Sequence, residues 1–259
     1  MSESSPSENL SEGTLISHLL ELRSRLLRAL LSVFILSVPC LMYGNELFTF
    51  IAKPLRQVLP KGSSIIATNL MAPLVIPFKL AFYVAALFAM PYVLYQIWAF
   101  VAPGLYRHER RFALPLLVSS VVLFYLGLMF AYYIVFPAMF AFLTATSPTG
   151  VQIMTDMTQY LDFILVMFLG FGLAFEIPVA IVLLVIMGIV EITTLTRNRG
   201  YVLIFAFFQA AVLTPPDVVS MTLMAVPMYL LYEFGIVMAK LMSRYRQNLT
   251  DNNSDINNS

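Results

Sequence analysis

Residues 161–187 read LDFILVMFLGFGLAFEIPVAIVLLVIM, an apolar run interrupted by Asp162 near its start and by Glu176 and Pro178 past its middle. A helix rises about 1.5 Å per residue, and crossing a hydrocarbon core of roughly 30 Å takes about 20 residues, so this run can span a bilayer. The rest of the chain repeats the pattern. Of its 259 residues 60% are hydrophobic and 11% charged, and the mean hydropathy is +0.85. That is far more apolar surface than one soluble core can bury. Further apolar runs lie at 26–43, 74–99, 112–136, 201–213 and 218–239. The expected fold is an all-α integral membrane protein with six transmembrane helices. Its fifth and sixth spans are expected to be short. Too few residues separate Gly200 from Pro215 for full bilayer thickness, which calls for a hairpin in thinned lipid or a re-entrant segment. Pro91, Pro178 and Pro227 fall inside helical stretches and should bend them.

Orientation follows from the basic residues. Arg23, Arg25 and Arg28 precede the first run. Arg107, Arg110 and Arg111 separate the second and third, Arg197 and Arg199 the fourth and fifth, and Lys240, Arg244 and Arg246 follow the sixth. All lie on one side, whereas the other side holds only Lys53, Arg56, Lys61 and Lys79. The positive-inside bias then places both termini in the cytoplasm. Residues 1–13 carry no basic residue and read as a disordered polar tail rather than a cleavable signal. Residues 14–245 read as a single polytopic membrane domain, and 246–259 as an Asn-rich disordered tail. The connection 44–73 mixes apolar stretches with Pro54, Pro60 and Gly62 and reads as an ordered cap.

Enzyme chemistry finds no foothold. There is no G-x-x-x-x-G-K-[ST] loop for nucleotide phosphates and no G-x-S-x-G element. His108-Glu109 lacks the second histidine of H-E-x-x-H, and His18 is the only other histidine, so neither a metal nor another cofactor is expected. Cys40 stands alone, which excludes an internal disulfide.

What remains is a set of acids in unexpected places. Glu176 lies in the fourth run, where a carboxylate costs at least ~2.5 kcal/mol on insertion scales and must face protein or water. It either serves transport or satisfies a local hydrogen bond beside Pro178 or from a neighbouring helix. Glu21 and Glu109 each sit in a basic collar. Glu21 is four residues before Arg25, a favourable i,i+4 pair worth a few tenths of a kcal/mol. Glu109 is placed to cap the helix beginning near Phe112 or to pair with Arg110 or Arg111. On topology alone the two share one face, where two carboxylates could take a cationic partner.

Five separated motifs turn these options into one. HLLELRSRL at 18–26, YQIWAFVAPGLYRHERR at 95–111, FGLAFEIPV at 171–179, LTPPD at 213–217 and PMYLLYE at 227–233 resemble, in order, those of the TatC family. That family is the multispanning core of the twin-arginine protein translocase, and the resemblance covers nearly all of 18–233. It implies that Glu21 and Glu109, with Phe100, receive the paired arginines of a signal peptide at the cytoplasmic face. Guanidinium binds carboxylate bidentately, so two placed carboxylates can demand two arginines. It also implies roles for Glu176 and Asp217 in later steps, with Arg23, Arg107, Arg110, Arg111, Tyr132, Gln209 and Glu233 in support. The implied partners are the single-span subunits TatA and TatB, the cargo's signal peptide and further copies of the chain. The implied setting is the cell inner membrane, with folded cargo exported on the proton-motive force. One departure stands out. Family members commonly carry Ser-Gln early in the sixth span where this chain has Ser220-Met221, and Gln209, at similar depth on the fifth, could supply the missing amide. The alternative from the residues alone is a proton- or cation-coupled small-solute transporter using Glu176. An intramembrane scaffold, for which neither collar acid matters, is the third reading.

Overall fold

The computed structural model describes residues 6–58, 64–101, 110–146, 154–214 and 217–257. In chain order these form helices α1 (Pro6–Met42), α2 (Gly44–Ile51) and α3 (Lys53–Val58), strand β1 (Ser64–Ile66), α4 (Ala72–Val101) and α5 (Arg110–Phe130). A π-helical turn (Ala131–Val135) leads into α6 (Phe136–Ala145), then strand β2 (Met154–Asp156), α7 (Met157–Ala174), α8 (Ile177–Ile186), α9 (Ile192–Arg197), α10 (Arg199–Leu213) and α11 (Val218–Asn257).

Among the described residues, five helical stretches are long and apolar enough to cross a membrane: Leu19–Met42, Ala72–Val101, Leu114–Ala145, Met157–Ile186 and Val218–Arg244. Arg199–Leu213 is a shorter apolar helix. These fall on the six expected runs, and the fifth is short as expected. The sixth corrects the expectation of a short span, because its apolar stretch covers 27 residues and the helix continues beyond it. After Gly235 the chain has neither Gly nor Pro, and Lys240, Leu241, Met242, Arg244 and Gln247 all favour helix. Helices α1 and α11 also reach into the stretches read as polar tails.

The chain divides into two compact units. The first comprises residues 1–47 and 77–117. In it Val33 of α1 meets Ala85 and Ala89 of α4, with Leu36, Cys40, Ala86 and Val93 around them. Alanines let two backbones approach closely where lipid supplies no hydrophobic drive between helices. Phe34 and Phe82 add an edge-to-face pair at 5.8 Å. Most other apolar residues of α1, among them Leu26, Leu30 and Ile35, are exposed, as a lipid-facing surface requires.

The second unit comprises residues 48–76 and 118–259. Phe124, Phe136, Leu161, Ile164, Leu165, Met167 and Phe171 form its buried centre. Two helix breaks shape it. Pro137 lacks an N–H, and just before it the Phe136 N–H reaches back five residues to the Ala131 carbonyl. Pro178 likewise sits in the first turn of α8, so the fourth span is α7 and α8 joined at Phe175–Glu176 rather than one bent helix.

The connecting segments are ordered by one carboxylate. Strands β1 and β2 pair in parallel, with Ile66 opposite Asp156. Asp156 Oδ1 caps α7 by accepting from the Thr158 and Gln159 N–H groups at 2.9 and 3.0 Å. Its Oδ2 accepts from the Thr68 hydroxyl at 2.5 Å and the Thr68 N–H at 3.1 Å. The Thr68 hydroxyl first, then the backbone donors, hold the carboxyl down from 3.8 to about 2. A depressed folded value means the stabilisation is complete above the unfolded value and is lost as pH falls from about 4 towards 2. Asp156→Asn, whose amide has a single acceptor oxygen, is expected to lower the unfolding temperature in detergent at neutral pH. The gap to the parent should close as pH drops through that window, and a gap that stays constant would refute the latch.

Candidate functional site

The first unit holds the one collar acid that lies among the described side chains. Because α1 is continuous helix, Glu21 and Arg25 share a face one turn apart. Arg25 donates from Nε at 2.9 Å and from Nη2 at 2.6 Å, both to Glu21 Oε1. Its Nη1 makes a longer contact, 3.4 Å, to Gln96 Oε1 on α4. Gln96 is 5% exposed, Arg25 22% and Glu21 38%, so the three run from interior to surface. Gln96 belongs to the motif at 95–111, yet nothing in the sequence alone pairs it with Arg25. Phe100 is half-buried in the last turn of α4, one turn beyond Gln96. Arg23 and Arg28 are exposed. Arg110 and Arg111 open α5, while Arg107, His108 and Glu109 lie outside the described residues.

The second unit holds Glu176, Asp217 and Glu233, each with a partner. Glu176 accepts a short hydrogen bond at Oε2 from the hydroxyl of Ser120, a buried residue of α5. Its Oε1 is buried with no hydrogen-bond partner among the described residues. This hydrogen bond joins Glu176 to a neighbouring helix across the break at Phe175–Glu176. The sequence signal for Ser120 is a polar pair, Ser119-Ser120, within an apolar run. Asp217 precedes α11 and accepts from the Ser220 N–H at 2.7 Å, a bond that pulls its carboxyl below the usual range. It is an ionised helix cap.

Glu233 is gripped by Arg199 in a fork, Nε to Oε1 at 2.7 Å and Nη2 to Oε2 at 2.8 Å. The Tyr229 hydroxyl donates to Oε1 at 3.1 Å, and the Tyr232 hydroxyl donates to the Leu195 carbonyl at 2.9 Å. Together these tie the start of α10 and the end of α9 to α11. The sequence marks Arg199 only as a topological charge. Tyr132 stacks on Phe50 at 5.1 Å and donates to the Phe50 carbonyl at 2.8 Å, while Tyr160 donates to the Ile51 carbonyl. Both hydroxyls satisfy carbonyls at the end of α2. Gln209 and Met221 are half-buried on α10 and α11, which pack together.

Residues 17–227 match the family described as Sec-independent protein translocase protein (TatC). The Sec-independent protein translocase protein TatC of Haemophilus influenzae is 51% identical over 226 residues, 87% of this chain and 88% of that protein. The protein of the same name from Escherichia coli strain K12 is 48% identical over the same shares. A crystal structure of the twin arginine translocase receptor TatC superposes with a TM-score of 0.79 at 35% identity, covering 87% of this chain and 99% of that one.

Proposed function

We propose a function that proceeds from membership: the chain belongs to the TatC family of Sec-independent protein translocase proteins and is a multi-pass inner-membrane component of the twin-arginine system. On our reading both termini are cytoplasmic, and Glu21 and Glu109, beside Phe100, bind the paired arginines of a signal peptide. Arg23, Arg107, Arg110 and Arg111 repel cationic segments that lack the compensating contacts. Glu176 and Asp217 act in later steps. Gln209, Tyr132 and Glu233 support the helices that meet the single-span partners TatA and TatB, and export of folded cargo draws on the proton-motive force.

The observation that supports recognition best is Glu21 itself. It is a partly exposed carboxylate that already receives a guanidinium at 2.6 and 2.9 Å, so its environment accepts the chemistry a signal arginine brings. One exposed ion pair contributes at most about 1 kcal/mol, so a single acid cannot discriminate strongly. Two linked contacts can, because the second forms at high effective concentration. The test is photocrosslinking of a signal peptide to the full chain in membranes. Crosslinking is expected for an Arg-Arg peptide and to fall at least about tenfold for its Lys-Lys counterpart. Equal labelling by both peptides would sink the reading.

A further inference from the structure

We infer that Arg25 is a resident stand-in for a ligand arginine, holding the Glu21 carboxylate until a better-placed guanidinium displaces it. This rests on the reading that Glu21 binds a signal arginine. Arg25 uses two nitrogens on one oxygen, Oε1, and among the described residues no bond reaches Oε2. Within the described residues Glu21 is thus engaged end-on and presents an oxygen through which an incoming guanidinium can begin to bind. Bidentate capture needs Oε1 as well. Arg25 can release it because a second acceptor lies behind it. Gln96 is buried, its amide oxygen needs a donor, and Arg25 Nη1 is already 3.4 Å away.

The exchange acts as a tax on every ligand. Only the fraction of molecules in which Arg25 has let go binds with intrinsic affinity, so the apparent dissociation constant rises by the reciprocal of that fraction. A partly exposed i,i+4 pair contributes about 0.2–1 kcal/mol, a held-to-released ratio of roughly 1.4 to 5, so the apparent dissociation constant rises about two- to sixfold. The factor is the same for arginine and lysine ligands. Their ratio is untouched, but the weaker ligand is pushed further below useful occupancy. The neutral Glu21–Arg25 pair also offers a stray cation no net charge.

The test titrates fluorescent Arg-Arg and Lys-Lys signal peptides into the full chain in nanodiscs. Arg25→Gln is expected to tighten both peptides about two- to sixfold with their ratio unchanged. Arg25→Lys keeps the charge but loses the fork, and is expected to give a smaller gain of the same sign. It decides the matter alone if the glutamine variant does not accumulate. In a Glu21→Gln background Arg25→Gln should change nothing. If Arg25→Gln weakens binding or leaves it unaltered while Glu21→Gln weakens it, the stand-in is overturned and the role of Glu21 stands. Parent-like binding by Arg25→Lys beside a gain in Arg25→Gln marks a field effect only and also overturns it. If Glu21→Gln binds like the parent, the underlying reading fails whatever Arg25 does.

Discussion

Reversing both collar acids, Glu21→Lys with Glu109→Lys, is expected to abolish arginine-pair-dependent binding, a loss of at least about a hundredfold in affinity. Truncating one side of a hydrogen-bonded charge pair costs about 2–5 kcal/mol, and each 1.4 kcal/mol is tenfold. Reversal goes further, since each lysine repels the group its predecessor attracted. The helix should survive: a lysine at 21 facing Arg25 one turn away is a like-charge pair worth a few tenths of a kcal/mol. Circular dichroism should show parental helicity, and photocrosslinking to an Arg-Arg signal peptide should fall to the level of a Lys-Lys control. Undiminished, arginine-dependent crosslinking in the double variant would falsify the recognition role.

Length and hydropathy made the spans legible, because a bilayer imposes one requirement on every crossing segment. They could not show where a span breaks. By its position in an apolar run Pro178 suggests a bend within a helix, yet its missing N–H and restricted φ make it a better first-turn residue, and α7 ends before it. Pro137, unremarked in the sequence, comes directly after a π turn for a related reason. Partners were harder still. Glu21 with Arg25 is local and could be read from spacing, whereas Gln96 with Arg25, Ser120 with Glu176 and Arg199 with Glu233 join residues 34 to 71 positions apart. Asp156 is legible locally, since an aspartate just ahead of an apolar run is a helix-start signal.

Gly127→Leu should be strongly damaging to the second unit, because it puts a side chain where the backbone of α7 approaches α5. A Cβ there would meet the Phe171 carbonyl oxygen at 2.7 Å and the Phe175 ring at 3.0 Å. The oxygen belongs to backbone and cannot swing aside, so the helices must part. Leucine gains about 0.8 kcal/mol of helix propensity over glycine, but overpacking costs about 1–3 kcal/mol and more where backbone has to move. The clash therefore wins, and the unfolding temperature in detergent should fall clearly. Gly200→Ala is the control with the opposite sign, since a Cβ there meets nothing within 4 Å and the propensity gain stands alone. The damage also has an address. Ser120 lies two turns before Gly127 on the same face of α5, and its bond to Glu176 is formed next to Phe175. Parting the helices should break that bond and open Glu176 to solvent, which carbodiimide labelling would record as increased modification. Parental unfolding together with an unlabelled Glu176 would mean that α5 and α7 do not pack through the Phe171 carbonyl.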